Sequence, residues 1–498
     1  MLSSTKRKLP RNTPVSSAKK PHVRQDQGEN PIFQKRDLKK PLVKPVIKFD
    51  PSISMRFQPP PLTFDRIGIQ MPKILLPDPQ KVDLSKWAVI ACDQYTSEPD
   101  YWQRLQGHVG QNPSMLNLIY PEAFLEEPKA QKAARIQHIN QAMKQYLESG
   151  VLTEQNPGFV FVTRTLPNGK LRKGLIASVD LEKYDYTKGA KSLIRPSEAT
   201  VEDRIPPRLA VRQNASLESP HILLLINDPR KTVVEPLERS QGNTLLYDFD
   251  LHLDHPQHLT GHQVPAQNVR TLVGALENLI SQKDPMLFVV GDGNHSLATA
   301  RTHWLKIKAT LSPEAQKIHP ARFALVEIMN LHDDSLVFEP IHRICKNVDC
   351  KAMLAAMTQF YQGRAEIEFE SCNVADIPKR MQALKQDKTK QYIAYLSGKE
   401  GGIMTITKSP YAIEVATLQN FLDNFLLQHK EVGIDYIHDD DKLVKLSQQP
   451  KTAGFLLPSM DKFDLFPCIL KDGVLPRKTF SMGHAEEKRV YMECKKIV

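Results

Sequence analysis

The chain has 498 residues, 41% hydrophobic and 25% charged, enough for two or three packed units at roughly 100–200 residues per domain. Lys and Arg number 67 against 56 Asp and Glu, a formal charge of +11, yet residues 1–50 hold 13 of the bases and 4 of the acids, which leaves 54 against 52 elsewhere. A nearly neutral body argues against a nucleic-acid surface, no run approaches the ~18 apolar residues of a membrane span, and six scattered cysteines without a Cys-x-x-Cys pair give no support to a disulfide framework or a Cys-rich zinc site.

Residues 1–62 carry 10 of the 37 prolines, clustered bases and few large apolar side chains. Such a segment buries too little to offset its chain entropy, so a disordered basic tail is expected. Lys6-Arg7-Lys8 and Lys19-Lys20 have the spacing of a two-part nuclear import signal, against a solvated tail or weak polyanion contact as the plainer readings. Pro10, Pro14 and Pro21 oppose a transit-peptide helix, and no apolar signal core is present, so a cytoplasmic protein with reduced thiols is expected.

From about Phe64 the sequence alternates strand-like and helix-like runs. Trp87 to Cys92 reads as a buried strand, and Ile136, Ile139, Met143 and Leu147 share one helical face before Gly150. Phe159–Leu166 and Leu171–Leu181 flank Asn168-Gly169, a two-residue hairpin signal. His221–Ile226 is a further buried strand, Val269–Ile280 a helix, and Met286–Val290 a strand. Phe323–Leu331 follows as a strand, then the chain turns helical around Met353–Tyr361 and continues through Gln391–Leu396, a Gly401-Gly402 turn, a helix through Leu418, Phe421, Leu422, Phe425 and Leu426, and a core strand at Gly454–Leu457. Interleaved helices, strands and hairpins without an internal repeat predict an α/β or α+β fold with a mixed sheet. The regions are set at 63–235, 236–345 and 346–498, after the tail at 1–62.

The run most suited to chemistry is Val290-Gly291-Asp292-Gly293-Asn294-His295-Ser296, between an apolar strand and a helix through Ala298, Ala300, Trp304 and Leu305. Gly291 and Gly293 permit a tight turn and close backbone approach, and a helix start offers N–H groups to an anion. Asp292, Asn294, His295 and Ser296 add an acceptor, an amide, an acid/base and a hydroxyl. The plain alternative is a glycine turn capped by Ser296.

Four other boxes accompany this one: Ala91–Pro99 with Tyr101-Trp102, Ile205-Pro206-Pro207-Arg208, Glu339–Arg343 and Leu475–His484. In this order, from about residue 64 onward, they resemble a mainly prokaryotic family, domain of unknown function one-thousand-fifteen. Many members of that family carry Asp-Gly-His-His-Arg where this chain has Asp292 to Ser296. A similar box lies in the nucleotide and phosphate site of free serine kinases of the ParB/sulfiredoxin-like superfamily. The resemblance implies a ParB/sulfiredoxin-like core, with Asp292, Gly293 and His295 as direct matches. Asn294 and Ser296 depart from the pattern, and without an arginine at 296 another base, Arg195, Arg204 or Arg343, has to clamp the phosphate.

The implied function is phosphoryl transfer to a small free hydroxyl compound such as serine, which asks the protein for positioning, charge stabilisation and a base. Asp292, His295 and His342 are the catalytic candidates. Gly291, Gly293, Asn294, Ser296, Arg195, Glu198, Arg204, Arg343, Lys478, Ser481 and His484 are candidates for binding substrate or phosphate. For Arg195, Glu198 and Glu202-Asp203-Arg204 a solvated charged loop is the competing reading, for His342-Arg343 a structural role, and for Lys478 to His484 an exposed turn. Asp93 is a further carboxylate at a strand end, and Cys92 reads as a buried apolar residue. No residue is assigned to a metal; magnesium is expected to arrive with a nucleotide or pyrophosphate donor. His252, His255, His258 and His262, with Asp254, read as a surface loop rather than a zinc site, and His438-Asp439-Asp440-Asp441 as a helix start rather than a magnesium site. The alternative function is a ParB-like, nucleotide-responsive binding module whose basic tail contacts nucleic acid, although no DNA- or RNA-binding box is present.

Overall fold

The apolar runs of the sequence become strands, most of them in two sheets. The computed structural model describes residues 61–498 apart from positions 97, 188, 220–221, 252–255 and 385–386. Residues 1–60 of the expected tail, with its basic clusters, lie outside the described residues, as do His252, Asp254 and His255.

The larger sheet is mixed. Eight of its ten strands run in the order Thr244–Leu251, Gln257–Gln263, Val160–Thr165, Leu171–Asp180, Phe323–Asn330, Leu223–Ile226, Phe288–Asp292 and Ile194–Pro196. The Asn168-Gly169 signal forms the hairpin between its third and fourth strands, with Gly169 at φ 77°. Phe323–Asn330 pairs antiparallel with that hairpin and parallel with Leu223–Ile226, the first parallel pairing along the sheet. Every residue of Phe323–Asn330 is buried, as expected of a central strand covered on both faces.

The second sheet is antiparallel throughout, in the order Glu366–Ser371, Glu400–Thr407, Gln391–Ser397, Thr452–Leu456, His342–Lys346 and Gly433–Ile437. Successive strand residues point to opposite faces. Cys345, Ile393, Met404 and Phe455 therefore pack with helices Cys350–Tyr361 and Glu414–Gln428 through Met353, Met357, Leu418 and Phe421. Ile344, Ala394, Ile403 and Leu456 pack the other way, against Ile377 and Met381 of helix Ile377–Leu384 and Leu443 of helix Asp440–Ser447. Each fully buried large side chain is worth about 1.5–3 kcal/mol.

Two local expectations change. Trp87 does not open a strand: Asp83 accepts from the Ser85 N–H and caps a short helix, Leu84–Trp87, and only Val89–Ile90 pairs as a strand. Trp87 is fully buried instead and donates from Nε1 to the Met492 carbonyl at 2.9 Å. The Gly401-Gly402 pair lies inside strand Glu400–Thr407, the reversal coming earlier at Gly398. The ring of Tyr395 fills the space a side chain at 402 would need. All six cysteines are free thiols, and among the described residues no helix is long and apolar enough to cross a membrane.

The segment after residue 475 stitches the protein together. Phe480–Met482 pairs with Phe338–Pro340, Val490–Tyr491 with Val89–Ile90, and Cys494–Lys496 lies between Ile74–Pro77 and Leu217–Glu218. These short pairings bring residues 478–491 against the exit of strand Phe288–Asp292.

Candidate functional site

Strand Phe288–Asp292 is buried through Val290, then surfaces at Gly291 and Asp292. Gly293 takes φ 85° and precedes helix Asn294–Lys308, whose first turn has no capping side chain at that position. Ser296 is therefore the third helical residue and not the cap. A Cβ at 293 would lie 3.0 Å from the Ile222 Cα, so this turn combines a left-handed backbone with close strand contact. The helix start opens on a cleft of about 290 Å³.

Two ammonium groups reach this cleft from the C-terminal segment. Lys488 is 7% exposed and donates to Asp292 Oδ2 at 3.1 Å and to Ser481 Oγ at 2.9 Å. Its backbone is held from below. Arg164 and Arg172, directly opposite each other across the hairpin, are both buried and donate to the carbonyls of residues 486–488. Burial and the neighbouring Arg172 push the Arg164 guanidinium down to about 9.

Lys478 has φ 56°, an uncommon conformation for a side-chain-bearing residue, and its ammonium pairs with Asp93. Burial opposes ionisation of Asp93, but Lys478 and Lys488 overcome it and hold the carboxyl well below the ordinary range. The depressed folded pKa stabilises the native state above the ordinary value of 3.8, and that contribution is lost as pH falls through the folded value. Melting temperatures taken from pH 6 to pH 2 should therefore fall less steeply below pH 4 in Asp93→Asn than in wild type. Identical slopes would show that the pair contributes nothing.

Asn294 and His295 fix a neighbouring loop. Asn294 accepts from the Ser197 N–H at 3.2 Å and donates to Ser197 Oγ at 3.0 Å, and His295 Nε2 accepts from the Val201 N–H at 3.2 Å. Burial, then Arg208, Arg204 and Lys478, push His295 down to about 3, so it is neutral at pH 7 with one nitrogen committed to the backbone. Glu198, raised by burial, accepts from the Thr479 N–H at 3.2 Å. Arg208 pairs with Glu122 and Arg212 with Glu218, whereas Arg204 is exposed at the cleft with no ion-pair partner among the described residues. Leu118, Ile119, Leu125, Met143, Val211 and Leu217 make the remaining wall apolar.

Gly291, Asp292, Gly293, Asn294, His295, Ser296, Glu198, Arg204, Lys478 and Ser481 thus line one cleft, with Asp93 and Cys92. Burial pushes the Cys92 thiol up to about 12, with Lys488 opposing, which makes it a poor nucleophile. Arg195, His342, Arg343 and His484 do not line it. Arg195 is buried, paired with Asp284, and donates to the Ser192 carbonyl. His342 is fully buried between Asp440, at 2.7 Å, and the Leu457 N–H, at 3.1 Å, so both ring nitrogens are spent. Arg343 is fully buried on Gln419 and the carbonyls of Ile341 and Arg477, above the Tyr436 ring. His484 is exposed, 4.0 Å from Glu339.

Lys488, Arg208, Arg212, Glu122 and His438 also line the cleft without having been selected from sequence. Arg208 belongs to the Ile205-Pro206-Pro207-Arg208 box, but Lys488 sits in an ordinary charged run that carries no signal of chemistry. The acids after His438 begin a helix: Asp439 accepts from the Lys442 N–H, and Asp440 pairs with His342. His258 lies between Asp248 and Asp250, and among the described residues no group of three or more His, Cys, Asp or Glu is placed to hold a metal ion.

Residues 74–425 match the family described as "Protein of unknown function (DUF1015)". The chain belongs to this family. The glycine turn and the Asn294–Lys308 helix fall within the DUF1015 match, while Lys478, Ser481 and Lys488 lie beyond its last residue. No curated protein matches the chain. Similar solved structures include a conserved hypothetical protein from Pyrococcus furiosus, at 12% identity over 62% of this chain and 90% of its own, with a TM-score of 0.33. A free serine kinase mutant in complex with AMP gives 11% identity over 65% of this chain and 91% of its own, TM-score 0.34. The mutant in complex with ADP gives 10%, 67% and 94%, TM-score 0.34.

Proposed function

We propose that this DUF1015 protein is a small-molecule phosphotransferase that moves a phosphoryl group from a nucleotide or pyrophosphate to a free hydroxyl compound such as serine. One observation carries the reading: an uncapped helix start behind a left-handed glycine meets two largely buried lysines and two carboxylates in a single cleft. Phosphoryl transfer needs little covalent participation by the protein, and these are the parts it does need.

In this reading the transferring phosphate lies at the start of helix Asn294–Lys308, where the N–H groups and helix dipole favour an anion. Lys488 and Lys478 compensate its charge, and Arg204 holds a further anionic group at the mouth. Asp292 is the base: its Oδ1 accepts from the Gly293 N–H at 2.8 Å and its Oδ2 from Lys488, which orients the carboxylate toward an incoming hydroxyl. The apolar wall suits the base of a nucleotide donor. Magnesium enters on the donor's phosphates, since Asp93 and Asp292 are each already paired with a lysine.

The test is incubation of the purified full chain with L-serine and ATP, ADP or pyrophosphate, with magnesium, followed by phosphorus NMR. Phosphoserine should form with at least one donor and vanish in Asp292→Asn. Formation of no phosphomonoester with serine or a panel of small alcohols, beside an active control kinase, would reject the reading.

A further inference from the structure

His438 lines the cleft and has no part in the reading above. It follows strand Gly433–Ile437 and precedes Asp439, the cap of helix Asp440–Ser447, so the second sheet delivers it to the cleft. His342 fixes this turn through Asp440. Gln94 Nε2 lies 3.4 Å from His438 Nδ1; with the amide in this orientation Nδ1 is the acceptor and the ring proton sits on Nε2, which has no partner among the described residues. Gln94 also reaches Ser481 Oγ at 3.5 Å, and Lys488 joins Ser481 to Asp292. A single polar chain therefore runs from His438 to Asp292. The charged and titratable groups facing the imidazole are Asp93, Lys478, Lys488 and His342. Burial lowers its pKa to about 4, with the two lysines and His342 lowering and Asp93 raising it, so the ring is an uncharged donor at neutral pH.

We propose that His438 contacts the reacting group, donating a hydrogen bond from Nε2–H to an oxygen of the phosphoryl group as it is transferred. This rests on the phosphotransferase reading. In the step, a bond forms between the acceptor oxygen and phosphorus while the bond from phosphorus to the donor's bridging oxygen breaks. The electron pair of the broken bond stays on the leaving phosphate, and the acceptor proton goes to Asp292. His438 keeps its proton throughout. A neutral donor aimed at the shifting charge stabilises the transition state without adding a fixed cation that would retain the anionic product.

The experiment compares full-length His438→Ala and His438→Gln with wild type and records nitrogen NMR of histidine-labelled wild type, with ADP as the probe. His438→Ala should lower kcat by about 10²–10³-fold with KM for the donor changed by less than about threefold. His438→Gln keeps an N–H donor and should recover about tenfold of that loss. The NMR should show His438 as the Nε2–H tautomer, its signal moving on addition of ADP. Wild-type kcat in a folded His438→Ala, or an Nδ1–H tautomer with and without ADP, overturns the proposal and leaves the phosphotransferase reading standing. No turnover by wild type with any donor overturns both. If His438→Ala does not fold, the tautomer measured in wild type decides.

Discussion

Replacing Lys488 by methionine is expected to lower turnover by about 10²–10³-fold and to cost the fold about 1–3 kcal/mol. The two effects share one cause. The ammonium is buried and joins Asp292 to Ser481, so its removal strips the proposed phosphate site of a cation and leaves the Asp292 carboxylate facing an apolar side chain. Methionine keeps most of the stem's volume, so little of the effect comes from a cavity. A double-mutant cycle separates stability from catalysis: adding Asp292→Asn to Lys488→Met should recover part of the lost stability, because no unpaired charge remains, and none of the activity. Urea titrations give the first quantity and steady-state rates the second. A Lys488→Met enzyme working within about threefold of wild type would end the assignment of Lys488 to the phosphate.

Gly293→Ala should cost about 1–3 kcal/mol and lower turnover at least tenfold. Its backbone has φ 85°, and the added methyl would meet the Ile222 Cα at 3.0 Å, where backbone has to give way. Gly169→Ala is the control. That residue has φ 77° in the hairpin turn, with nothing within 4 Å of an added Cβ, so it carries the backbone penalty alone. Gly169→Ala should melt at a temperature between Gly293→Ala and wild type and retain full turnover. Equal losses of stability in the two variants would mean that the Ile222 contact has no energetic weight.

The glycine turn was legible because local rules suffice for it: an apolar run, two glycines and a helical pattern lie within some twenty residues. The hairpin at Asn168-Gly169 was readable for the same reason. His342 and Arg343 show the limit. A polar pair after a strand reads alike whether it faces a ligand or the interior, and its burial depends on Asp440, Leu457, Gln419 and Arg477, residues 76 to 134 positions away for the partners of Arg343. Lys488 errs in the opposite direction. Its charged surroundings suggest solvent, and only the docking of its backbone on Arg164 and Arg172 turns it inward. Trp87 failed as a strand opener because a capping aspartate four residues earlier outweighed the apolar run.

The position of the C-terminal segment bears on how activity is acquired during folding. Lys478 meets Asp93 across 385 positions, and Trp87 meets Met492 across 405. Contacts closed over such lengths form after local hairpins and helices, because the loop entropy comes due before the contact stabilises anything. On the phosphotransferase reading, the hairpin and the glycine turn, which need only local contacts, form before the C-terminal lysines arrive, and refolding followed by far-ultraviolet signal should run ahead of refolding followed by turnover.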